Sequence, residues 1–375
     1  MLNSKKIVFT TGGTGGHINP ALAVAGEIRR KYPEAEILFI GKSDRLETKL
    51  VPDAGFDLRT IEMSGFQRKP SLENLKRNLL TVKRLLTVTG KVKAIFKDFT
   101  PDIVIGFGGY VSGPVVRTAA KMGIPTIIHE QNAFPGVTNK ALAKMVDKVM
   151  LTAGEAEKYM QPKNPVEVTG LPVRHEIVEA DRDFSRAELG LDERPLVLSM
   201  GGSLGARTIN EAMVEVIARL QPEHKFRFIH ATGKFGTWVP DKLKEKGVDL
   251  EDKDIEIREY INNMDVCMSA ADIIIGRSGA STLSELQATG SASILIPSPN
   301  VTENHQYHNA MALVNKGAAA IIEEKDLTGE VLANKLIEIL EDKNKLQSMR
   351  KNAKEMAILD STDRIIKIVE DTIKL

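Results

Sequence analysis

The residues with the clearest chemical potential lie near the start of the chain, where residues 10–17 read TTGGTGGH. They follow the apolar run Ile7-Val8-Phe9 and precede a segment from Ala21 whose apolar residues recur at helical spacing, which predicts a strand, a tight turn and a helix. Glycines let the backbone approach a ligand, and the free N–H groups of a helix start attract phosphate. His17 could accept a proton there. The alternative is an ordinary turn in which His17 only caps the helix.

Two further polar segments follow predicted strands in the first half of the chain. Residues 101–105 lead into a second Gly-rich turn, GFGGYVSGP at 106–114, and residues 126–128 lead into the polar cluster His129-Glu130-Gln131-Asn132. In open α/β sheets, ligands bind at the carboxyl ends of the strands. The polar cluster is therefore expected at the edge of the sheet where ligands bind.

The second half of the chain repeats the pattern of a strand, a Gly-rich turn and a helix. A strand at 196–200 precedes the turn GGSLGA at 201–206 and a helix from Asn210, and a strand at 272–275 precedes GRSGAST at 276–282 and a helix that carries Glu285. The pattern predicts an α/β protein with two Rossmann-like βαβ domains facing across a cleft, a suitable place for phosphorylated ligands.

Length and composition agree with two domains. The 375 residues suit two cores, and 42% hydrophobic with 27% charged residues is typical of a globular protein. Residues 161–165, QPKNP, resemble a linker, so we expect a boundary near residue 164. No apolar run reaches the ~20 residues of a membrane span. The single cysteine, Cys267, excludes an internal disulfide and favours a cytoplasmic location.

The charge is distributed unevenly. Residues 1–170 carry 25 Lys and Arg against 16 Asp and Glu, and the remainder carries 26 against 34. Nine basic residues and one acid, Glu73, fall between Arg68 and Lys97, where leucines recur at helical spacing. The excess of basic residues indicates an anionic partner, which could be a membrane surface, a diphosphate or a nucleic acid. A basic amphipathic helix favours the membrane surface. The alternative is a solvated helix that packs its leucines on a sheet.

Two other kinds of site are poorly supported. The seven histidines are scattered, and Asp252 and Asp254 fall in a charged run that is better explained as a solvated loop, so no metal site is expected. A dinucleotide-binding dehydrogenase needs an acid after the second strand, but residues 40–43 read IGKS. The pair Tyr159 and Lys163, which could serve such an enzyme, has Pro162 inside it.

Six segments, taken together, resemble the MurG family of bacterial N-acetylglucosaminyltransferases, which belongs to glycosyltransferase family 28. They appear in family order at 12–17, 108–114, 129–132, 201–206, 277–280 and 305–310. The resemblance implies transfer of N-acetylglucosamine from its UDP donor to undecaprenyl-diphospho-muramoyl-pentapeptide (lipid I), which gives lipid II. Leu204 stands where many relatives have Gln, and Ala292 stands where a Pro is frequent.

The resemblance also implies a GT-B fold and a division of labour. An acceptor and membrane-associated domain would span 1–163, a UDP-sugar domain 164–355, and a helix at 356–375 would cross back to the first domain. Glu285 would hold the ribose hydroxyls, Ser203 the diphosphate, and Gln306 and Asn309 the sugar. The remaining donor-binding positions would be Arg174 and Ile261 beside the uridine, Asn132 from the other domain, and Ala280, Ser281 and Thr282. For Glu285 the alternative is an ordinary acid in the first turn of a helix.

A mechanism follows from this resemblance. Inversion at the sugar needs one base, for which we expect His17, and backbone N–H groups at 201–206 would stabilise departing UDP without a metal or another cofactor. The acceptor diphosphate would bind Gly12, Gly13, Gly108, Gly109 and Tyr110, although Thr14, Gly15 and Gly16 could equally contact the donor. Lys76, Arg77, Lys83 and Arg84 would hold the enzyme peripherally on the cytoplasmic face of the membrane, with no nucleic-acid partner. The alternatives are a UDP-N-acetylglucosamine 2-epimerase, another GT-B lipid glycosyltransferase and a non-catalytic UDP-sugar sensor.

Overall fold

The chain folds as two compact units. The computed structural model describes residues 2–63 and 87–374. One unit comprises Met1–Pro172 together with Asp360–Leu375, and the other comprises Val173–Leu359. The division falls later than the position near residue 164 expected from the sequence, because the short strand Glu167–Val168 still pairs with Lys148–Leu151 of the first unit.

The first unit contains a seven-stranded parallel sheet. Its strands are β1 (Lys6–Thr10), β2 (Glu36–Lys42), β3 (Asp57–Ile61), β4 (Ile103–Gly106), β5 (Thr126–Glu130), β6 (Lys148–Leu151) and β7 (Glu167–Val168). They lie in the order β3-β2-β1-β4-β5-β6-β7. The order reverses between β1 and β4, and such a switch point opens a crevice at the carboxyl ends of the strands.

Helices cover both faces of this sheet. They are α1 (Gly15–Lys31), α2 (Glu47–Asp53), α3 (residues 87–99), α4 (Ser112–Lys121), α5 (Val137–Ala143) and, from the end of the chain, α15 (Ser361–Ile373); a 3₁₀ turn spans Gly154–Tyr159. Val8 and Val104 face a core formed with α3, α4 and α5, whereas Ile7 and Phe9 face a core formed with α1 and α15. The strands are nearly continuous apolar runs because both faces are buried.

The last helix belongs to the first unit. Ile365, Ile366 and Val369 of α15 are at most 4% exposed and join the core formed by α1. At the rim, Tyr32 donates a hydrogen bond of 2.7 Å to Glu370. The C-terminal helix that the family resemblance implies at 356–375 spans Ser361–Ile373, so it begins later than expected.

The second unit contains a six-stranded parallel sheet with the order β10-β9-β8-β11-β12-β13. Its strands are β8 (Leu196–Met200), β9 (Arg227–Ala231), β10 (Ile255–Arg258), β11 (Ile273–Gly276), β12 (Ala292–Leu295) and β13 (Ala319–Ile321). Its helices are α6 (His175–Glu179), α7 (Arg182–Glu188), α8 (Arg207–Leu220), α9 (Val239–Glu245), α10 (Met264–Ala270), α11 (Ala280–Thr289), α12 (His305–Val314), α13 (Gly329–Glu341) and α14 (Lys343–Glu355). Short 3₁₀ turns span Gln221–Glu223, Thr302–Asn304 and Glu324–Asp326. The switch point lies between β8 and β11, where two Gly-rich turns begin.

The basic segment is described only at its end. Helix α3 is amphipathic: Val88, Val92 and Phe96 are buried, whereas Lys91 and Lys93 are exposed. The proposed membrane contacts Lys76, Arg77, Lys83 and Arg84 lie outside the described residues. Within 2–63 and 87–374, none of the helices combines the length and the apolar character that crossing a bilayer requires.

Candidate functional site

His17 lies inside the first turn of α1 and does not cap it. The helix begins at Gly15, and the backbone of Thr14 occupies the N-cap position. The His17 ring is directed at Gln131, with 2.8 Å between Nδ1 and Oε1. The alternative that His17 only caps the helix is therefore wrong, because its side chain is engaged with a residue that follows β5.

The two Gly-rich turns of the first unit touch each other at the switch point. A Cβ atom on Gly109 would lie 2.4 Å from the carbonyl oxygen of Gly12, and one on Gly108 would lie 3.0 Å from Nδ1 of His17. Both Gly108 and Gly109 have positive φ, at 83° and 80°. Only glycine meets both demands, so these residues set the distance between the loops.

A chain of hydrogen bonds continues inward from His17. Gln131 Nε2 lies 3.1 Å from Nδ1 of His129, and Nε2 of His129 lies 2.9 Å from the carbonyl oxygen of Gly170. Burial lowers the pKa of the His129 imidazole to about 4, and its bond to Gly170 opposes this only in part. His129 is therefore neutral at pH 7.

Glu130 stabilises the loop that carries Asn132 by accepting hydrogen bonds from it. Its carboxylate is 2% exposed and accepts hydrogen bonds from the backbone N–H of Asn132 at 3.0 Å, from Asn132 Nδ2 at 3.2 Å, from Gly136 N–H at 3.1 Å and from Asn139 Nδ2 at 2.8 Å. A buried carboxylate with this many donors is well satisfied. The sequence marked Glu130 as part of a motif but assigned it no role.

Glu47 is a residue that sequence reasoning missed. It is completely buried at the start of α2 and accepts hydrogen bonds from Lys42 N–H at 3.0 Å and from Gly13 N–H at 3.4 Å. The carboxylate of Glu47 is thus the partner of the Gly13 amide in this structure, and binding of the acceptor diphosphate at Gly13 stays a prediction. The amides of Gly15 and Gly16, at the start of α1, are donors of the kind that helix N-termini offer to anions.

Tyr110 lines a cavity of about 670 Å³ beside α4 and α5. Its walls combine apolar side chains, among them Val137 and Met145, with the cations Arg117 and Lys121. Such a lining matches a ligand that carries both an apolar chain and negative charge.

The first turn of the second unit is held by glycine contacts. A Cβ atom on Gly205, where φ is 83°, would lie 2.2 Å from the carbonyl oxygen of Thr232, and one on Gly201 would lie 2.3 Å from the backbone nitrogen of Ala206. Ser203 is exposed beside the start of α8, and Leu204 is 56% exposed. The departure at Leu204 therefore leaves the packing of the turn unchanged.

Arg174 and Glu285 form a direct pair in the second unit. Nε and Nη2 of Arg174 donate to the same oxygen, Oε1 of Glu285, at 3.2 and 3.0 Å. Burial raises the pKa of Glu285, and Arg174 opposes that rise. Glu285 is the sixth residue of α11, so the alternative of a first-turn acid is wrong.

The other predicted donor residues are distributed over the same sheet edge. Asn309 is buried and donates from Nδ2 to the carbonyl oxygen of Ser278 at 3.1 Å, and Oε1 of Gln306 accepts from Ser298 N–H at 2.9 Å. Ile261 is 2% exposed, so it packs in the interior. The half-buried residues Ala280, Ser281 and Thr282 form the first turn of α11.

Within the described residues, one His and Asp group is close enough to share a metal ion. It consists of His224, Asp252 and Asp254, whose ligand atoms lie within 4.8 Å of one another. Arg194 already donates to both oxygens of Asp254 at 2.6 and 2.8 Å, and His224 donates to the same side chain. The group is therefore an ion-pair network that ties β9 and β10 to the loop before β8.

Two doubly wound parallel sheets, each with Gly-rich turns at the carboxyl ends of its central strands, define the GT-B class of glycosyltransferases. The chain belongs to glycosyltransferase family 28: the model of the family's N-terminal domain matches residues 7–151, and that of its C-terminal domain matches residues 196–365.

Individual relatives match over nearly the whole chain. A protein of Acetivibrio thermocellus named UDP-N-acetylglucosamine–N-acetylmuramyl-(pentapeptide) pyrophosphoryl-undecaprenol N-acetylglucosamine transferase is 46% identical over 98% of both chains. A protein of the same name from Desulforamulus reducens is 44% identical over 97% of this chain and 98% of its own. Among solved structures, MurG of Acinetobacter baumannii aligns with a TM-score of 0.81 and 27% identity over 98% of this chain and 99% of that one.

Proposed function

We propose that the chain is an inverting N-acetylglucosaminyltransferase that moves N-acetylglucosamine from UDP-N-acetylglucosamine to the 4-hydroxyl of the muramoyl sugar of lipid I, giving lipid II for peptidoglycan synthesis. The observation that carries this proposal is the 46% identity, over 98% of both chains, with a transferase of that name. The organisation of both sheet edges fits such a reaction.

The second unit holds the donor in this proposal. Both bonds from Arg174 end on Oε1 of Glu285, and the proposal assigns Oε2 to the ribose, because a carboxylate oxygen accepts hydrogen bonds from a diol. Ser203 and the amides at the start of α8 receive the diphosphate, where the helix N-terminus and its dipole favour the charge that develops on departing UDP. The proposal needs no metal ion for this step.

His17 is the base in this proposal. The hydrogen bond to Gln131 occupies Nδ1, so Nε2 is the nitrogen that takes the proton of the acceptor hydroxyl. The oxygen attacks the anomeric carbon as the bond to UDP breaks, so one inversion gives the β-linked product. A sensor that only binds UDP-sugars would have no use for such a base.

The acceptor binds to the first unit in this proposal. The apolar and cationic cavity beside Tyr110 supports binding of a lipid-linked diphosphate, and the N–H groups at the start of α1 support binding of an anion. The basic segment between Arg68 and Lys97 holds the protein peripherally on the anionic, cytoplasmic face of the membrane.

The proposal is tested by mass analysis of products formed from UDP-N-acetylglucosamine and a short-chain lipid I analogue, with and without excess EDTA. We expect one added N-acetylglucosamine on the analogue and an equal amount of UDP under both conditions. Loss of the product in EDTA, restored by a divalent ion, would contradict the metal-free step only. Conversion of the donor to its 2-epimer without glycosylated product would identify an epimerase, and binding without turnover would identify a sensor.

A further inference from the structure

The hydrogen atoms in the series of hydrogen bonds from Gly170 to His17 can be assigned from the chemistry of the donors and acceptors. The carbonyl oxygen of Gly170 can only accept, so Nε2 of His129 carries the hydrogen across their 2.9 Å contact. His129 is completely buried and neutral. Its Nδ1 is therefore a lone-pair acceptor.

The orientation of the Gln131 amide follows from this. The group 3.1 Å from Nδ1 of His129 must be a donor, so it is the NH₂ group of Gln131, which lies equally close to the carbonyl oxygen of His129. The amide oxygen of Gln131 is then the atom 2.8 Å from Nδ1 of His17. An oxygen without a hydrogen can only accept, so Nδ1 of His17 carries the hydrogen and Nε2 carries the lone pair.

We propose that Gln131 is a positioning residue: its buried amide, oriented by His129 and Gly170, holds His17 as the Nδ1–H tautomer and thereby leaves Nε2 free to accept the proton of the acceptor hydroxyl. The proposal rests on the function proposed above, in which His17 is the base. The tautomer of an imidazole is set by the hydrogen bond that its other nitrogen makes.

The surroundings restrict the ring as well as its hydrogen. Gln131 is 3% exposed, and the backbone of Gly108 lies so close to His17 that a Cβ atom there would be 3.0 Å from Nδ1 and 3.1 Å from Cε1. A ring flip would place Cδ2 of His17 opposite the oxygen of Gln131 and break the bond. An amide cannot take the proton that His17 accepts, so its contribution is alignment of the base.

The test follows the tautomer directly. The full chain is prepared with ring-¹⁵N histidine, and long-range ¹H–¹⁵N spectra are recorded at pH ~8, above the pKa of ~6.5 of a free imidazole. The His17 signals are assigned by their absence in His17→Asn. We expect an N–H type resonance for Nδ1 and a lone-pair type resonance for Nε2 in the wild type.

Three variants separate alignment from general damage. Gln131→Met removes the acceptor and should shift His17 toward the Nε2–H form, whereas Gln131→Glu keeps an oxygen opposite Nδ1 and should retain the wild-type tautomer. Asn139→Met is the matched control, because Asn139 also donates to the carbonyl of His129, at 3.1 Å, and is bonded to Glu130 but not to His17. It should leave the tautomer unchanged.

Turnover supplies the second readout. Gln131→Met should lower kcat by ~10-fold or more. The upper limit is ~10⁴-fold, the loss known for an enzyme whose catalytic histidine is held in the wrong tautomer. KM for the donor should change by less than ~3-fold. Gln131→Glu should recover most of this loss.

Two results would overturn the role of Gln131: an Nε2–H resonance for His17 in the wild type, or an unchanged tautomer in Gln131→Met. The wild-type spectrum decides even if the Met variant fails to fold. If the wild type shows the Nδ1–H tautomer but His17→Ala keeps its kcat, the catalytic purpose proposed for the tautomer is overturned, and the role of His17 as base fails with it. Absence of any transfer by the wild type would instead overturn the proposed function.

Discussion

At the scale of single residues, the site of the first unit depends on contacts between segments more than a hundred positions apart. His17 and Gln131 are brought together by the neighbouring strands β1, β4 and β5, and Gly108 fills the space beside them. A general base typically contributes ~10²–10⁴-fold to a rate. Substitutions here are therefore expected to change kcat more than binding.

His17→Ala should lower kcat by ~10²–10⁴-fold and leave the affinity for UDP-N-acetylglucosamine within a few-fold of wild type, because the base acts only in the transition state. His17→Asn should lose as much. Steady-state kinetics and donor titration measure both quantities. His175→Ala is the matched control, since it removes an exposed imidazole. Near-normal turnover in either His17 variant would exclude a base at this position.

Glu285→Ala should raise KM for UDP-N-acetylglucosamine by ~10–100-fold with a smaller change in kcat, because it removes one or two charge-assisted hydrogen bonds to a part of the donor that does not react. The melting temperature should change little, since the partner Arg174 has a side chain that is 56% exposed. Glu179→Ala, which removes an exposed carboxylate on α6, serves as control. An unaltered KM would place the ribose elsewhere.

At the scale of helices and strands, the sequence was most informative where both the pattern and the chemistry were local. The central strands β1, β4, β8 and β11 are short apolar runs that lead into Gly-rich turns, and the structure confirms each of them. β6, β7 and β13 were not predicted: they have two to four residues, and their pairing depends on neighbours in space.

The same distinction applies to the site. His17 was named from a motif, and Glu285 and Arg174 were named from the family resemblance, so the roles of all three stay predictions. The structure adds the long-range contact between Arg174 and Glu285. Glu47 could not be identified, because a glutamate in a short polar helix shows nothing of its complete burial beneath the first Gly-rich turn. The network through His129 was hidden in the same way, since the sequence does not show that Gly170 lies beneath it.

Two buried histidines in the strands should make the protein acid-sensitive. Burial lowers the pKa of His129 in β5 and of His230 in β9 to about 4, below the ~6.5 of an unfolded imidazole. Between these values the unfolded chain binds the extra protons, so the free energy of unfolding falls as pH decreases from 6.5 to 4. Each imidazole should account for a loss of about 2 kcal/mol at pH 5 relative to pH 7.

Urea unfolding at pH 7 and pH 5 measures this effect. His230→Leu should be less stable at pH 7, because it leaves the hydroxyl of Ser199 without its 2.7 Å partner, and its stability should also depend less on pH. His175→Leu, an exposed control, should keep the wild-type pH dependence. A wild-type midpoint that is equal at both pH values would contradict the depressed pKa values.

The basic segment is tested by charge reversal. Replacing Lys76, Arg77, Lys83 and Arg84 with Glu should abolish binding to anionic vesicles and spare turnover of a soluble acceptor analogue, because each cation near an anionic leaflet contributes about 1 kcal/mol. The control reverses four cations of the second unit, Lys242, Lys244, Lys246 and Lys253, with the same change in net charge. Vesicle flotation that is equal for the wild type and the first variant would leave the segment with a packing role alone.

At the scale of the whole molecule, the first unit is discontinuous in sequence. Its core is closed by α15, which reaches it only after the whole second unit has been traversed. The two ends of the chain therefore depend on each other, and a change at one end should be felt at the other.

Deleting residues 360–375 should destabilise the first unit selectively. The deletion removes the buried side chains of Ile365, Ile366 and Val369. Each side chain of this kind contributes about 1.5–3 kcal/mol when fully buried, so the lost free energy of unfolding approaches the whole stability of a typical domain. Hydrogen exchange should then be faster in α1 and β1 and unchanged in β8 and β11. Asp363→Ala, which removes only the ion pair with Lys31, is the control. Equal exchange in α1 of both proteins would show that α15 is dispensable.

The position of α15 also sets an order of events during synthesis. The second unit is one continuous stretch and is complete once Leu359 has left the ribosome, whereas the first unit must wait for its final helix. At ~5–20 residues per second, the roughly 200 residues after Pro172 take ~10–40 s. For that time the core that α1 shares with the sheet lacks Ile365, Ile366 and Val369, so the half of the protein that is made first is the half that matures last.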